Sequence, residues 1–136
     1  MIVTGDRVVE WVAKQTNPIG RFGPSVGIGF ERNGSIAGGA VFTNYNGVNM
    51  EIHVAADGSK SYFGRRFLHE CFYYAFVSAN VKRLTGFIAE DNLATIKLAE
   101  HSGFEREAVM KGACRRGDVL VYVLWKKNCR WLNENL

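Results

Sequence analysis

Residues 91–104 read AspAsnLeuAlaThrIleLysLeuAlaGluHisSerGlyPhe, a helix quoted with both of its ends. The Asn92 side chain can accept from backbone N–H groups of the first turn, and Gly103 stands where a helix ends in a left-handed residue. Leu93, Ile96, Leu98 and Ala99 give it apolar contacts. Upstream, Arg83–Ile88 predicts a short strand, and before it Phe67, Leu68, Cys71, Phe72, Ala75 and Phe76 recur at helical steps between Arg65 and Ala79. Downstream, 104–110 and 118–125 predict two strands joined by a loop with Gly112 and Gly117.

The first half has a different texture. Segments 25–31, 36–43 and 48–55 are dense in strand formers, and Asn33-Gly34 and Asn46-Gly47 lie between them. Asn-Gly is a strong short-hairpin signal because both residues accept positive φ, so three antiparallel strands in a meander are expected. Val8, Val9, Trp11 and Val12 form a helical stripe over 6–14 with Asp6 near its start, and the prolines and glycines of 16–24 break it. The order is helix, three strands, helix, strand, helix, two strands. A strand–helix–strand run inside an otherwise antiparallel sheet predicts an α/β chain: a three-layer fold with a mixed, mostly antiparallel, central sheet.

At 136 residues the chain is expected to be a single domain, 1–136. Its 47% hydrophobic and 22% charged residues argue against disorder. No apolar run reaches membrane-spanning length and the start lacks a signal-peptide layout, so a cytoplasmic protein with no membrane partner is expected. The net charge of +4 leans C-terminal, with ten basic against seven acidic residues in 81–136. That is too mild to predict nucleic-acid binding, and Lys126–Leu132 is expected to pack Trp131 and Leu132 on the domain. Three scattered cysteines and three histidines match no metal-ligand spacing, so no metal site is expected. Trp11 and Trp125 are expected in the core or at an interface, and a second copy of the chain stays open as a partner.

The 91–104 segment resembles the cofactor-side helix of the GCN5-related N-acetyltransferases, in which an Asn-initiated helix is followed by Gly-Phe eleven and twelve residues later. GluArgGluAlaValMetLys at 105–111 and TyrTyrAlaPheValSerAlaAsnValLysArgLeu at 73–84 resemble the ribosomal-protein and N-terminal acetyltransferase branch. The resemblance runs from about residue 26 to 131. It implies the acyltransferase-like fold, acetyl-CoA as acyl donor, and a small-molecule or peptide amine as acceptor.

It also implies roles for particular residues. The family's pyrophosphate loop would fall on Ser59, Lys60, Ser61, Tyr62, Phe63 and Gly64, where only Gly64 matches the pattern and Tyr62 replaces a glycine. Such a loop holds phosphate with backbone N–H groups at a helix head, and Lys60, Arg65 and Arg66 would add charge. Val54 and Asn92 would lie along the pantetheine arm. Glu51 and His53, two residues apart on one strand, share a face. Amine acetylation needs a base because an ammonium has no lone pair, and Glu51 is the leading candidate with His53 second. Ala99 departs from the family, where a tyrosine often protonates the departing thiolate; Tyr122, Ser61 and Cys71 are conceivable substitutes, although Cys71 is expected to pack on the sheet.

These residues imply an N-acetyltransferase acting on a primary amine. The competing expectation is a non-catalytic acyltransferase-like domain that binds CoA or a protein. The missing tyrosine, the altered glycine loop and the short segment ahead of the first hairpin support it.

Overall fold

A computed structural model describes residues 1–16, 20–58 and 63–132. One seven-stranded sheet organises the chain. Its strands are β1 Ile2–Thr4, β2 Ser25–Arg32, β3 Ser35–Thr43, β4 Asn49–Ala56, β5 Arg83–Ala89, β6 Glu105–Cys114 and β7 Gly117–Trp125, in the order β1-β2-β3-β4-β5-β7-β6. All neighbours are antiparallel except β4 and β5. The helices are α1 Asp6–Thr16, α2 Arg65–Tyr73 and α3 Leu93–Ser102.

The two sheet faces have different coverings. Val8 and Val12 of α1 pack on Ile36 and Val41. That helix lies low because Gly29 and Gly39 leave room: a Cβ on either would sit 2.9 Å from a Val8 methyl. The opposite face carries the main core, where Phe67, Cys71 and Phe72 of α2 meet Phe42, Met50, Leu84, Leu124 and, from the α3 side, Ala99 and Phe104. The predicted three layers and mixed sheet are those observed. No helix of the described residues is long and apolar enough to cross a membrane.

Several local features differ from the sequence expectation. β1 is a three-residue strand on β2, too short to show a period. Asn33 and Gly34 form the expected turn with φ of 53° and 81°. Asn46-Gly47 instead lies in a longer connection, where the Asn46 side chain accepts from the Val48 and Asn49 N–H groups. The helix from Arg65 changes to a π-turn at Tyr74–Ser78, closed by Ala79 N–H donating to the Tyr74 carbonyl at 2.8 Å. β6 continues through Gly112 with an irregular register. Trp125 is no core residue: it is 40% exposed, with the Arg83 guanidinium over its ring. Trp131 packs as expected, 4% exposed, its indole N–H donating to the Ser102 carbonyl at 2.8 Å.

Candidate active site

The parallel ladder between β4 and β5 is only three pairs long: Asn49–Arg83, Met50–Leu84 and Glu51–Thr85. Beyond it β4 follows β3 and β5 follows β7, and the two strands diverge. The facing backbone edges past Glu51 and Thr85 lose their ladder partners there. Gly86 stands at the fork without a side chain; a Cβ there would lie 3.9 Å from an Ile52 methyl.

A polar clasp holds the closed end. Thr85 Oγ1 donates to Asn49 Oδ1 at 2.7 Å, and Arg83 Nε donates to the same oxygen at 3.3 Å. The Arg83 guanidinium also makes two hydrogen bonds to the Glu107 carboxylate, at 3.0 and 3.1 Å. Glu107 sits at the β6 bulge between Arg106 and Ala108. Sequence patterning does not reveal the clasp, since these hydrogen bonds join residues 24 to 36 positions apart.

The open end of the fork is a cleft of about 760 Å³. His53 and Val54 line it from β4, Phe63 and Phe67 from the head of α2, and Asn92 and Ala99 from α3. Gly64 is the N-cap of α2, with φ −77°, and a Cβ added to it would meet nothing within 4 Å among the described residues. Arg65 and Arg66 follow it, both exposed, in the first turn. Ser59, Lys60, Ser61 and Tyr62 lie outside the described residues. Asn92 caps α3, its Oδ1 accepting from Thr95 N–H at 3.3 Å.

Glu51 and His53 share a sheet face but do not bond each other. The Glu51 carboxylate accepts from Asn44 Nδ2 at 2.9 Å, a reach made by Asn44 in the left-handed conformation at φ 53°. His53 Nε2 is hydrogen-bonded to Thr43 Oγ1 at 2.9 Å, and its ring lies 4.7 Å from that of Phe22. His53 lines the cleft, whereas Glu51 stands one step back at the last ladder pair. Burial holds the His53 imidazole below its usual range, and the nearby Glu51 charge offsets this in part.

That depression has a sign that can be measured. Well above pH 6.5 the imidazole is neutral whether folded or unfolded, and contributes no pH dependence. As pH falls below 6.5 the unfolded chain takes the proton first, so stability is lost until the folded pKa is passed. Urea unfolding between pH 7.5 and 5 should show this loss in the wild type, and a shallower one in His53→Asn.

Two of the conceivable proton donors are committed elsewhere. Tyr122 is 1% exposed and its hydroxyl donates to Glu100 Oε2 at 3.0 Å. Cys71 lines the cleft but is buried on α2, where burial and Glu70 push its thiol well up. Ser61 is among the residues not described. Among the described residues no cluster of three potential metal ligands occurs.

Comparison with known proteins follows the same lines. Residues 30–119 match the acetyltransferase (GNAT) domain family. No curated protein matches the sequence. Among solved structures, a ribosomal-protein-alanine N-acetyltransferase from Brucella melitensis is 19% identical with a TM-score of 0.69, covering 92% of this chain and 99% of that one. A variant of the spermidine N-acetyltransferase SpeG from Vibrio cholerae is 15% identical with a TM-score of 0.72, covering 100% and 99%. A GNAT-family acetyltransferase from Bacillus anthracis is 16% identical with a TM-score of 0.67, covering 88% and 87%.

Proposed function

The chain belongs to the GNAT acetyltransferase family, and from that premise we propose that residues 1–136, as one domain, move an acetyl group from acetyl-CoA to a primary amine. The observation that carries this reading is the fork: a cleft between diverging strands, with unladdered backbone on both sides and a helix head at one end. The residues present fit the donor. Its pyrophosphate would meet the N–H groups at the head of α2 past Gly64, with Arg65 and Arg66 adding charge, and its pantetheine arm would run by Val54 and Asn92. When bound, acetyl-CoA supplies an acyl carbon already activated as a thioester.

The chain's own part is positioning and proton removal. Freed backbone N–H groups on the inner edge of β4 are suited to polarising a carbonyl oxygen. What supports His53 as the base, ahead of Glu51, is that it reaches the cleft and is kept neutral by burial. The imidazole takes one proton from the ammonium, the freed nitrogen attacks the acyl carbon, and as the C–S bond breaks the second proton of that nitrogen passes through water to the departing thiolate. Glu51, on the same face, stabilises the imidazolium that results. Ala99 fits a route with no tyrosine acid, since a thiolate is a good leaving group. We place the reaction in the cytoplasm, which accords with the three free cysteines.

Calorimetry with CoA and acetyl-CoA tests donor binding, and thiol release over a panel of amines tests transfer. Binding with no release from any amine would favour the non-catalytic alternative. The helix head gives a sharper test. A Cβ at Gly64 meets nothing within 4 Å among the described residues, so the fold should tolerate a valine there while its side chain takes up space before the first-turn amides. Gly64→Val should weaken CoA by roughly tenfold, more than Arg65→Ala or Arg66→Ala alone, because it obstructs several backbone donors at once. Unchanged CoA affinity in the folded Gly64→Val protein would remove the helix head from the site.

A further inference from the structure

The sheet face that α1 covers over β1–β4 has no helix over β5, β7 and β6 among the described residues. Direct cross-strand pairs put Phe87, Val121 and Ala108 in one row there, and Ala89, Val119 and Met110 in the next. Phe87 and Met110 are each 45% exposed while Val121 between them is 9% exposed, so the rows form an apolar shelf that opens to solvent at Phe87 and Met110. The shelf is continuous with the cleft, because Phe87, Ala89 and Val119 also line it. His53 faces the same way from the other side of the fork, since Glu51 pairs directly with Thr85 and His53 and Phe87 lie two residues on from each.

Charge sets the rest of the acceptor's chemistry. No carboxylate lines the described part of the cleft, but Arg115 and Arg116 of the β6–β7 turn do. Arg116 is paired with Asp91 at 3.1 Å, whereas Arg115 has no ion pair among the described residues. A polycation would meet uncompensated positive charge, and a molecule with an anionic group would be drawn in.

Resting on the acetyl-transfer reading above, we propose that the acceptor is an α-amino acid with a large apolar side chain. Its amine would point to His53, its side chain would lie on the Phe87 shelf, and its carboxylate would pair with Arg115. Burial of the side chain supplies most of the affinity, and the arginine selects against amines lacking the carboxylate.

The test titrates CoA-loaded protein with L-phenylalanine, phenethylamine, glycine and spermidine by calorimetry. L-Phenylalanine should bind at least about tenfold tighter than each of the others, since each lacks the side chain, the carboxylate or both. Phe87→Ala should bring L-phenylalanine near to glycine, and Arg115→Ala should bring it near to phenethylamine. Tighter binding of spermidine, or L-phenylalanine affinity unmoved by both substitutions, would overturn the inference. So would Arg115→Ala weakening CoA rather than L-phenylalanine, which would give the arginine to the donor. Thiol release with spermidine alone would leave acetyl transfer standing and the inference refuted. Failure to bind CoA would instead strike at acetyl transfer, and titration of the unloaded protein with the same four compounds would still read the shelf and the arginine.

Discussion

His53→Asn should lower the turnover of amine acetylation by about 10²-fold, the usual scale of a lost general base. Asparagine is shorter than the ring and gives up the Nε2 bond to Thr43 Oγ1, but the backbone ladder of β4 with β3 should hold the strand in place. The deficit should narrow as pH rises from 6 to 9, because more of the acceptor is then already the free amine. Acetyl-CoA affinity should stay within about twofold, since the base acts on the other reactant. Glu51→Gln should cost less, as it removes a charge that favours the imidazolium but leaves the imidazole in the cleft. Thiol release against pH for the three proteins separates these roles. Near-full activity in His53→Asn with a large loss in Glu51→Gln would pass the base to Glu51, acting through water from the last ladder pair.

The second large effect concerns stability. Phe76 is fully buried on the π-turn, with its ring centroid 6.3 Å from that of Phe72. Phe76→Ala should cost about 3–5 kcal/mol, because the close-packed main core cannot fill the space. Set against a typical domain stability of about 5–15 kcal/mol, that is enough to leave the variant marginal. Val77, on the same turn, is 44% exposed, and Val77→Ala should stay within about 1 kcal/mol. Guanidinium unfolding of both variants measures the contrast. Equal midpoints would mean that the turn does not hold Phe76 in the core.

What is local and periodic in this fold is legible in the sequence. The meander, the cap at Asn92, the left-handed Gly103 and the apolar stripe of α2 each depend on residues within a few positions of one another. The parallel β4–β5 pair follows from element order combined with the family resemblance. The π-turn stays hidden because one extra residue per turn barely alters an apolar stripe. Trp125 lies outside the core, because tryptophan serves equally as core filler and as a ring beneath a cation. At the site, sequence spacing puts Glu51 and His53 on one face but cannot say which one reaches the cleft. That depends on where the ladder stops, and on Asn44 and Thr43 across the hairpin. The shelf and Arg115 are illegible for a related reason: strands far apart in sequence assemble them.

The short seam between β4 and β5 has a mechanical meaning. The sheet consists of two antiparallel leaves, β1–β4 and β5–β7–β6, stitched together along three residue pairs and the bonds of Thr85 and Arg83 to Asn49. A molecule seated in the fork acts as a wedge, and its leverage is borne by these stitches together with the core that α2 packs across both leaves. The stiffness of each leaf therefore governs how wide the jaws stand. Changes on the outer strands, remote from every reacting atom, can retune the gape by altering how strongly either leaf coils.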